Sequence, residues 1–225
     1  MESKKIALTE RPLYVGSLTF LGGFCNAYTF VTRDGTMSNM HTGNMSRLGI
    51  SLANGEWLAA GKYFLPILAC VLGAAAGEAL KAKHSKERNW RVTALAVLAA
   101  ALAVVGLLPA SVPNIIVTNA MSFVTGYLFT LFRTTQWGAF SATVCTGNLR
   151  SIGQYLFGAL NERTAAAWTR LVVFSAVTFS FVLGAAVGVH VSNALATFAI
   201  IVSAAIPVAL AVAVVKDSRA AAQKA

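Results

Sequence analysis

Carboxylates are scarce in this chain. Eight Asp and Glu face eighteen Lys and Arg over 225 residues, and charged residues of both signs reach only 12%. So few charges exclude an ordinary solvated globule. Asp34, Glu56, Glu78 and Glu162 all fall near the ends of apolar runs, so no buried acidic proton relay is written plainly. Cysteine is limited to Cys25, Cys70 and Cys145. Their odd number, apolar surroundings and lack of CxxC or Cys/His spacing exclude a disulfide framework and a metal set, leaving them as small buried side chains. HExxH, GxSxG and paired intramembrane aspartates are all missing, so the sequence offers no catalytic residue, resident metal or cofactor.

What is abundant is hydrocarbon. Hydrophobic residues make up 56% of the chain and the mean hydropathy is +0.66. These values indicate an all-α integral membrane protein whose first partner is the lipid bilayer. The net charge of +10 does not indicate nucleic acid, because Lys and Arg sit at the chain ends and in short connections rather than along one face. The opening "MESKKIALTERPLYVG" carries no small-residue cleavage pattern and reads as a cytosolic tail over residues 1–12.

A bilayer core of about 30 Å needs about 20 apolar residues in a helix. Runs near 13–31, 57–80, 92–110, 114–132, 166–190 and 193–215 approach or exceed that length, which predicts six spans in one membrane domain covering 1–225. Lys81, Lys83, Lys86, Arg88 and Arg91 mark their loop as cytoplasmic; Lys4, Lys5 and Arg11 do the same for the N-terminus, and Lys216, Arg219 and Lys224 for the C-terminus. Six spans put all three segments on one side. Eight would split the loop from the tails, and seven would separate the tails. Trp57, Trp90, Trp137 and Trp168 lie near predicted span ends, as interface anchors. His84 reads as solvated, and His190 as a helix-end residue between two spans.

Two segments are too short to cross. "HTGNMSRLGISLANG" (41–55) and "CTGNLRSIGQYLFGA" (145–159) each hold about half a bilayer of helix, 11 to 15 residues. Aligning Thr42 with Thr146 also aligns Gly43 with Gly147, Asn44 with Asn148 and Gly49 with Gly153. "VLGAAAGEAL" at 71–80 then returns as "VLGAAVGVHV" at 182–191. The halves, about 13–110 and 114–215, contribute three crossings each, so the second is expected inverted relative to the first. Gly73/Gly77 and Gly184/Gly188 have the spacing of closely packed helices. Such small-residue faces suit a homodimer as well as packing within one chain.

Irregular backbone at membrane depth survives only where protein or a water-filled cavity satisfies it. Thr and Asn are N-cap residues and Gly permits unusual dihedrals, so each Thr-Gly-Asn reads as the start of a short helix with free N–H groups. Two such starts entering from opposite sides would face each other near the midplane and favour an anion or a hydrogen-bond acceptor. Arg47 and Arg150, one turn on, either deepen that potential or reach lipid headgroups. The plainer alternative is a pair of interfacial turns.

The line "GGFCNAYTFVTRDGTMSNMHTGNMSRLGISLANG", followed by "YFLPILACVLGAAAGEAL" and "TVCTGNLRS", resembles the YoaK family of bacterial membrane proteins of unknown function. The most specific pieces are the two Thr-Gly-Asn motifs, Gly22-Gly23, Ala27-Tyr28-Thr29, and Arg33 with Gly35. The resemblance implies a multi-span inner-membrane protein and supplies no substrate. Similar proteins carry Asp at the place of Asn26, and glutamines near Leu128 and Thr130.

A small-solute transporter is the leading expectation. Its substrate site draws on Asn26, Thr42, Gly43, Asn44, Arg47, Arg133, Thr146, Gly147, Asn148 and Arg150. A channel is the alternative on the same architecture. A membrane-embedded enzyme or a non-transporting membrane protein is the third.

Overall fold

The computed structural model describes residues 6–87, 89–143 and 145–223. The basic residues Lys4, Lys5, Arg88 and Lys224 lie outside the described residues. The chain is an all-α membrane-type protein of nine α-helices among the described residues. They are α1 (Pro12–Thr32), α2 (His41–Ala53), α3 (Trp57–His84), α4 (Trp90–Gly106), α5 (Asn114–Leu131), α6 (Cys145–Glu162), α7 (Ala165–Leu195), α8 (Ala199–Ser203) and α9 (Ala205–Ala222). A small hairpin pairs β1 (Thr134–Thr135) with β2 (Gly138–Ala139) ahead of α6.

Local chemistry sets several boundaries. Pro12 takes the first position of α1, where its missing N–H costs nothing. Thr164 caps α7 by accepting from the Ala167 N–H at 3.2 Å. α3 continues through Pro66 as one helix of 28 residues. Ala196, with φ +49°, ends α7, so the last apolar stretch is not one helix from 193 but a turn, the short α8, and α9. His190 accordingly lies exposed inside α7 rather than between two helices.

Three stretches are long and apolar enough to cross a membrane by length and composition: Trp57–His84, Asn114–Leu131 and Ala165–Ala222. Trp90–Gly106 is apolar but shorter. α6 reaches 18 residues, more than the half-bilayer expected, yet Asn148, Arg150, Gln154, Asn161 and Glu162 keep it out of that class. Large apolar side chains cover the outside of α3 and α7, including Leu68, Val71, Leu72, Val172, Val182 and Leu183. Water would penalise such a surface; lipid would not.

The halves interlock. α1 packs along α7 rather than along a helix of its own half, and α5 packs along α3. Glycines make both contacts. A Cβ at Gly73 would strike the backbone of Phe123, and one at Gly77 would crowd Tyr127 and Thr130. In the other pair, Gly184 meets Phe20 in the same way and Gly188 meets Phe24 and Ala27. The reverse contacts also recur, with Gly126 against Cys70 and Gly23 against Phe181. From Gly73 to Gly77 the partner moves from Phe123 to Tyr127 and Thr130, and from Gly184 to Gly188 it moves from Phe20 to Phe24 and Ala27, so both pairs are parallel.

Directions follow from hydrogen bonds at the helix ends. Arg33, just past α1, donates from Nη1 to Asn114 Oδ1 at the start of α5 (3.3 Å). Gln136, just past α5, donates its N–H to Glu10 O ahead of α1 (3.4 Å). α1 and α5 therefore run in opposite directions. Tyr127 Oη, near the end of α5, donates to Ala94 O near the start of α4 at 3.2 Å. Leu8 and Arg11 share a crevice with Asp217 and Ala221 at the end of α9. The two described chain ends and the basic loop after α3 therefore lie at one end of the bundle. Between the helices sits the core, with Leu18, Leu21, Tyr28, Leu95, Leu98, Leu102, Met121 and Leu128 almost wholly enclosed.

Candidate functional site

Both Thr-Gly-Asn helices start at half the height of the bundle. After α1, Asp34 and Gly35 adopt φ of +51° and +67°, a reversal that glycine makes easily. The chain then folds back along α1. Ser38 N–H donates to Thr29 Oγ1 (3.2 Å), and Asn39 Nδ2 donates to the carbonyl of Gly22 (3.3 Å). Ser122 Oγ, midway along α5, donates to Ser38 O at 2.8 Å. The loop after α5 reaches the same place from the other side: a Cβ on Gly22 would meet the carbonyl carbon of Ala142 and Cα of Thr143, each at 3.3 Å. Gly22 is the middle residue of α1, and the lack of a side chain there lets both loops approach.

From this meeting point α2 and α6 depart. α2 lies against α3 and α6 against α7. Since α3 and α7 begin at opposite ends of the bundle, the two short helices head in opposite directions. At 1.5 Å per residue they are about 20 and 27 Å long. Each begins one residue before its threonine, at His41 and Cys145. Thr and Asn therefore do not act as caps, and α2 starts without any side-chain cap. Its first-turn N–H groups lack intrahelical partners and carry the positive end of the helix dipole.

A cavity of about 480 Å³ lies between the two starts. His41, Thr42 and Gly43 line it from α2, Cys145, Thr146 and Leu149 from α6, Asn26 from α1, and Phe181 from α7. Met37, Asn39, Met40 and Thr143 complete the wall from the two loops. Three buried polar atoms here have no hydrogen-bond partner: Asn26 Oδ1 and both ring nitrogens of His41. A neutral imidazole at this place would offer one donor and one acceptor nitrogen.

Of the residues singled out in the sequence, Asn26, Thr42, Gly43 and Thr146 line this cavity. Arg133, Gly147 and Asn148 instead line a smaller cavity of about 230 Å³ beside α6. Asn44 is buried at 5% exposure and lines neither. Arg47 sits over the Tyr63 ring of α3, 5.8 Å from its centroid. Arg150 is exposed and lines neither cavity. Among the described residues no arginine or lysine lines the larger cavity, so the partial positive charge at its wall is that of the helix starts. Asn39 and Thr143 escaped the sequence reading because only the return path of each loop brings them to depth; the signal was the weakly polar character of those loops. Arg33 is 1% exposed, with Nε and Nη2 unpartnered.

Residues 15–213 match the family model described as "Protein of unknown function (DUF1275)". The chain belongs to the DUF1275 family. No curated protein and no solved structure matches this DUF1275 chain. The match takes in both loops, both short helices and every residue lining the larger cavity.

Proposed function

We propose that this DUF1275 protein is a carrier, not an enzyme, for a small polar solute that is neutral or singly anionic. It works in a bacterial inner membrane with both termini cytoplasmic. α1, α3, α4, α5, α7 and α9 cross the bilayer, while α2 and α6 are re-entrant and belong to two inverted halves. The opposed directions of α1 and α5 and the twice-written glycine contacts support that topology. The gathering of basic segments at one end supports the orientation.

One observation carries the solute reading: the cavity between the two helix starts, with the unpartnered Asn26 Oδ1 and His41 nitrogens in its wall. Free N–H groups from the helix starts donate to an acceptor such as a carboxylate. Asn26 Oδ1 and the unprotonated nitrogen of neutral His41 accept from a hydroxyl or amine on the same solute. A doubly charged anion is disfavoured, since no cationic side chain lines the wall to compensate it.

Flux in liposomes tests this reading, with lactate, alanine and sulfate as probes. Saturable uptake of lactate or alanine, with sulfate excluded and Asn26→Leu inactive though folded, is the expected result. Fast, non-saturating flux would replace the carrier with a channel. No flux of any probe, or an unaffected Asn26→Leu, would sink the site.

A further inference from the structure

The two Thr-Gly-Asn asparagines occupy the same place in the repeat and do different things. Asn148 clasps the loop before its own helix: Nδ2 donates to Ser141 O at 2.7 Å and Oδ1 accepts from Ser141 N–H at 3.1 Å. The position matching Ser141 in the first half is Met37, seven residues before Asn44 as Ser141 is seven before Asn148. Asn44 makes no such clasp; its Nδ2 is buried and unpartnered. The first loop is held from outside instead, through Asn39 on Gly22 and Ser122 on Ser38. Among the described residues the second loop has no such outside hold from α1: Thr19, which precedes Phe20 as Ser122 precedes Phe123 in the two matching glycine contacts, bonds only Val15 O within its own helix.

From this we infer that Asn44 and Asn148 are alternately engaged latches, so that the opposite-facing state has Asn44 clasping the Met37 backbone and Asn148 released. The inference rests on the carrier reading, in which access alternates between inverted halves. Two halves of like sequence have like sets of local minima, and an inverted pair in unlike states is one member of a two-state exchange. The structure has the second half latched and the first unlatched. A buried amide left without its bond is costly, and Asn44 regains a partner in the exchanged state. Asn148 then gives up its own, so the two states stay close in energy, as alternation requires.

Cys145, in the cavity wall, reports which face has access. In sealed vesicles carrying Cys25→Ala and Cys70→Ala, a membrane-impermeant thiosulfonate is applied from each face in turn. Asn148→Ala should change the ratio of labelling from the two faces by at least about fivefold, which is about 1 kcal/mol for the lost clasp. Asn44→Ala should move the ratio in the opposite direction, and adding it to Asn148→Ala should bring the ratio back toward that of the parent. Asn148→Asp, which keeps the acceptor and loses the donor, serves if the alanine variant does not fold; it should move the ratio in the same direction by less. A ratio within about twofold of the parent in Asn148→Ala, or an Asn44→Ala shift in the same direction as that of Asn148→Ala, overturns the latch. Solute flux with an unmoved ratio refutes the latch and leaves the carrier, whereas a moved ratio without flux of any probe solute refutes the carrier and leaves the latch.

Discussion

The first Thr-Gly-Asn segment and the second share three residues and lie in different surroundings. The first is pinned by its neighbours: Ser122 and Thr29 hold Ser38, and Asn39 reaches Gly22. The second is held by its own helix, through Asn148 on Ser141, and by α7, where Phe140 and Tyr155 each meet Phe174 in a T-shaped contact. The helix pairs beneath them are alike, with glycine against backbone at matching places. What differs between the halves is therefore in the loops, while the frame is common to both.

The largest expected effect probes that common frame. Gly73→Ala and Gly184→Ala each drive a methyl into a neighbouring backbone and should each lower stability by about 3 kcal/mol, read by thermal unfolding in detergent. Unequal costs would break the likeness of the two pairs. Gly153→Ala, where nothing lies within 4 Å, should change stability by no more than about 1 kcal/mol, and in the stabilising direction.

Next come the loops. Asn148→Ala should cost about 1 to 3 kcal/mol and Asn44→Ala less than about 1 kcal/mol, because only the former removes paired bonds to buried backbone. Equal losses would erase the difference between the segments. Ser122→Ala should cost about 1 kcal/mol by freeing the Ser38 carbonyl. Thr19→Val, whose hydroxyl bonds only its own helix, should stay within about 0.5 kcal/mol by the same measurement.

The all-α frame was legible where a helix is one long apolar run, as in α3, α5 and α7, and Gly73/Gly77 and Gly184/Gly188 announce close packing. Their partners were not legible. Nothing in "VLGAAAGEAL" says that Gly73 meets α5, since that choice belongs to tertiary packing across halves. Thr42, Gly43 and Thr146 were visible from the repeat, whereas Asn39 and Thr143 reach the cavity only through loops that turn back toward Gly22. Arg47 was read from spacing with two orientations open, and a ring on α3, distant from the motif in the sequence, decides between them. Trp90 was expected at the lipid interface and is instead buried at 8% exposure under Arg91, because packing against the core outweighs its position at a helix start.

The exchange of helices between halves also sets an order in time. α1 leaves the ribosome with its glycine face and Asn26 uncovered, and its partner α7 is not complete until some 160 residues later. At about 5 to 20 residues per second, that is a wait of about 10 to 30 s in the membrane. α3 waits less, because only α4 lies between it and α5. The first helix made is thus among the last to find its place, and quality control has that interval to remove a chain whose second half fails to arrive.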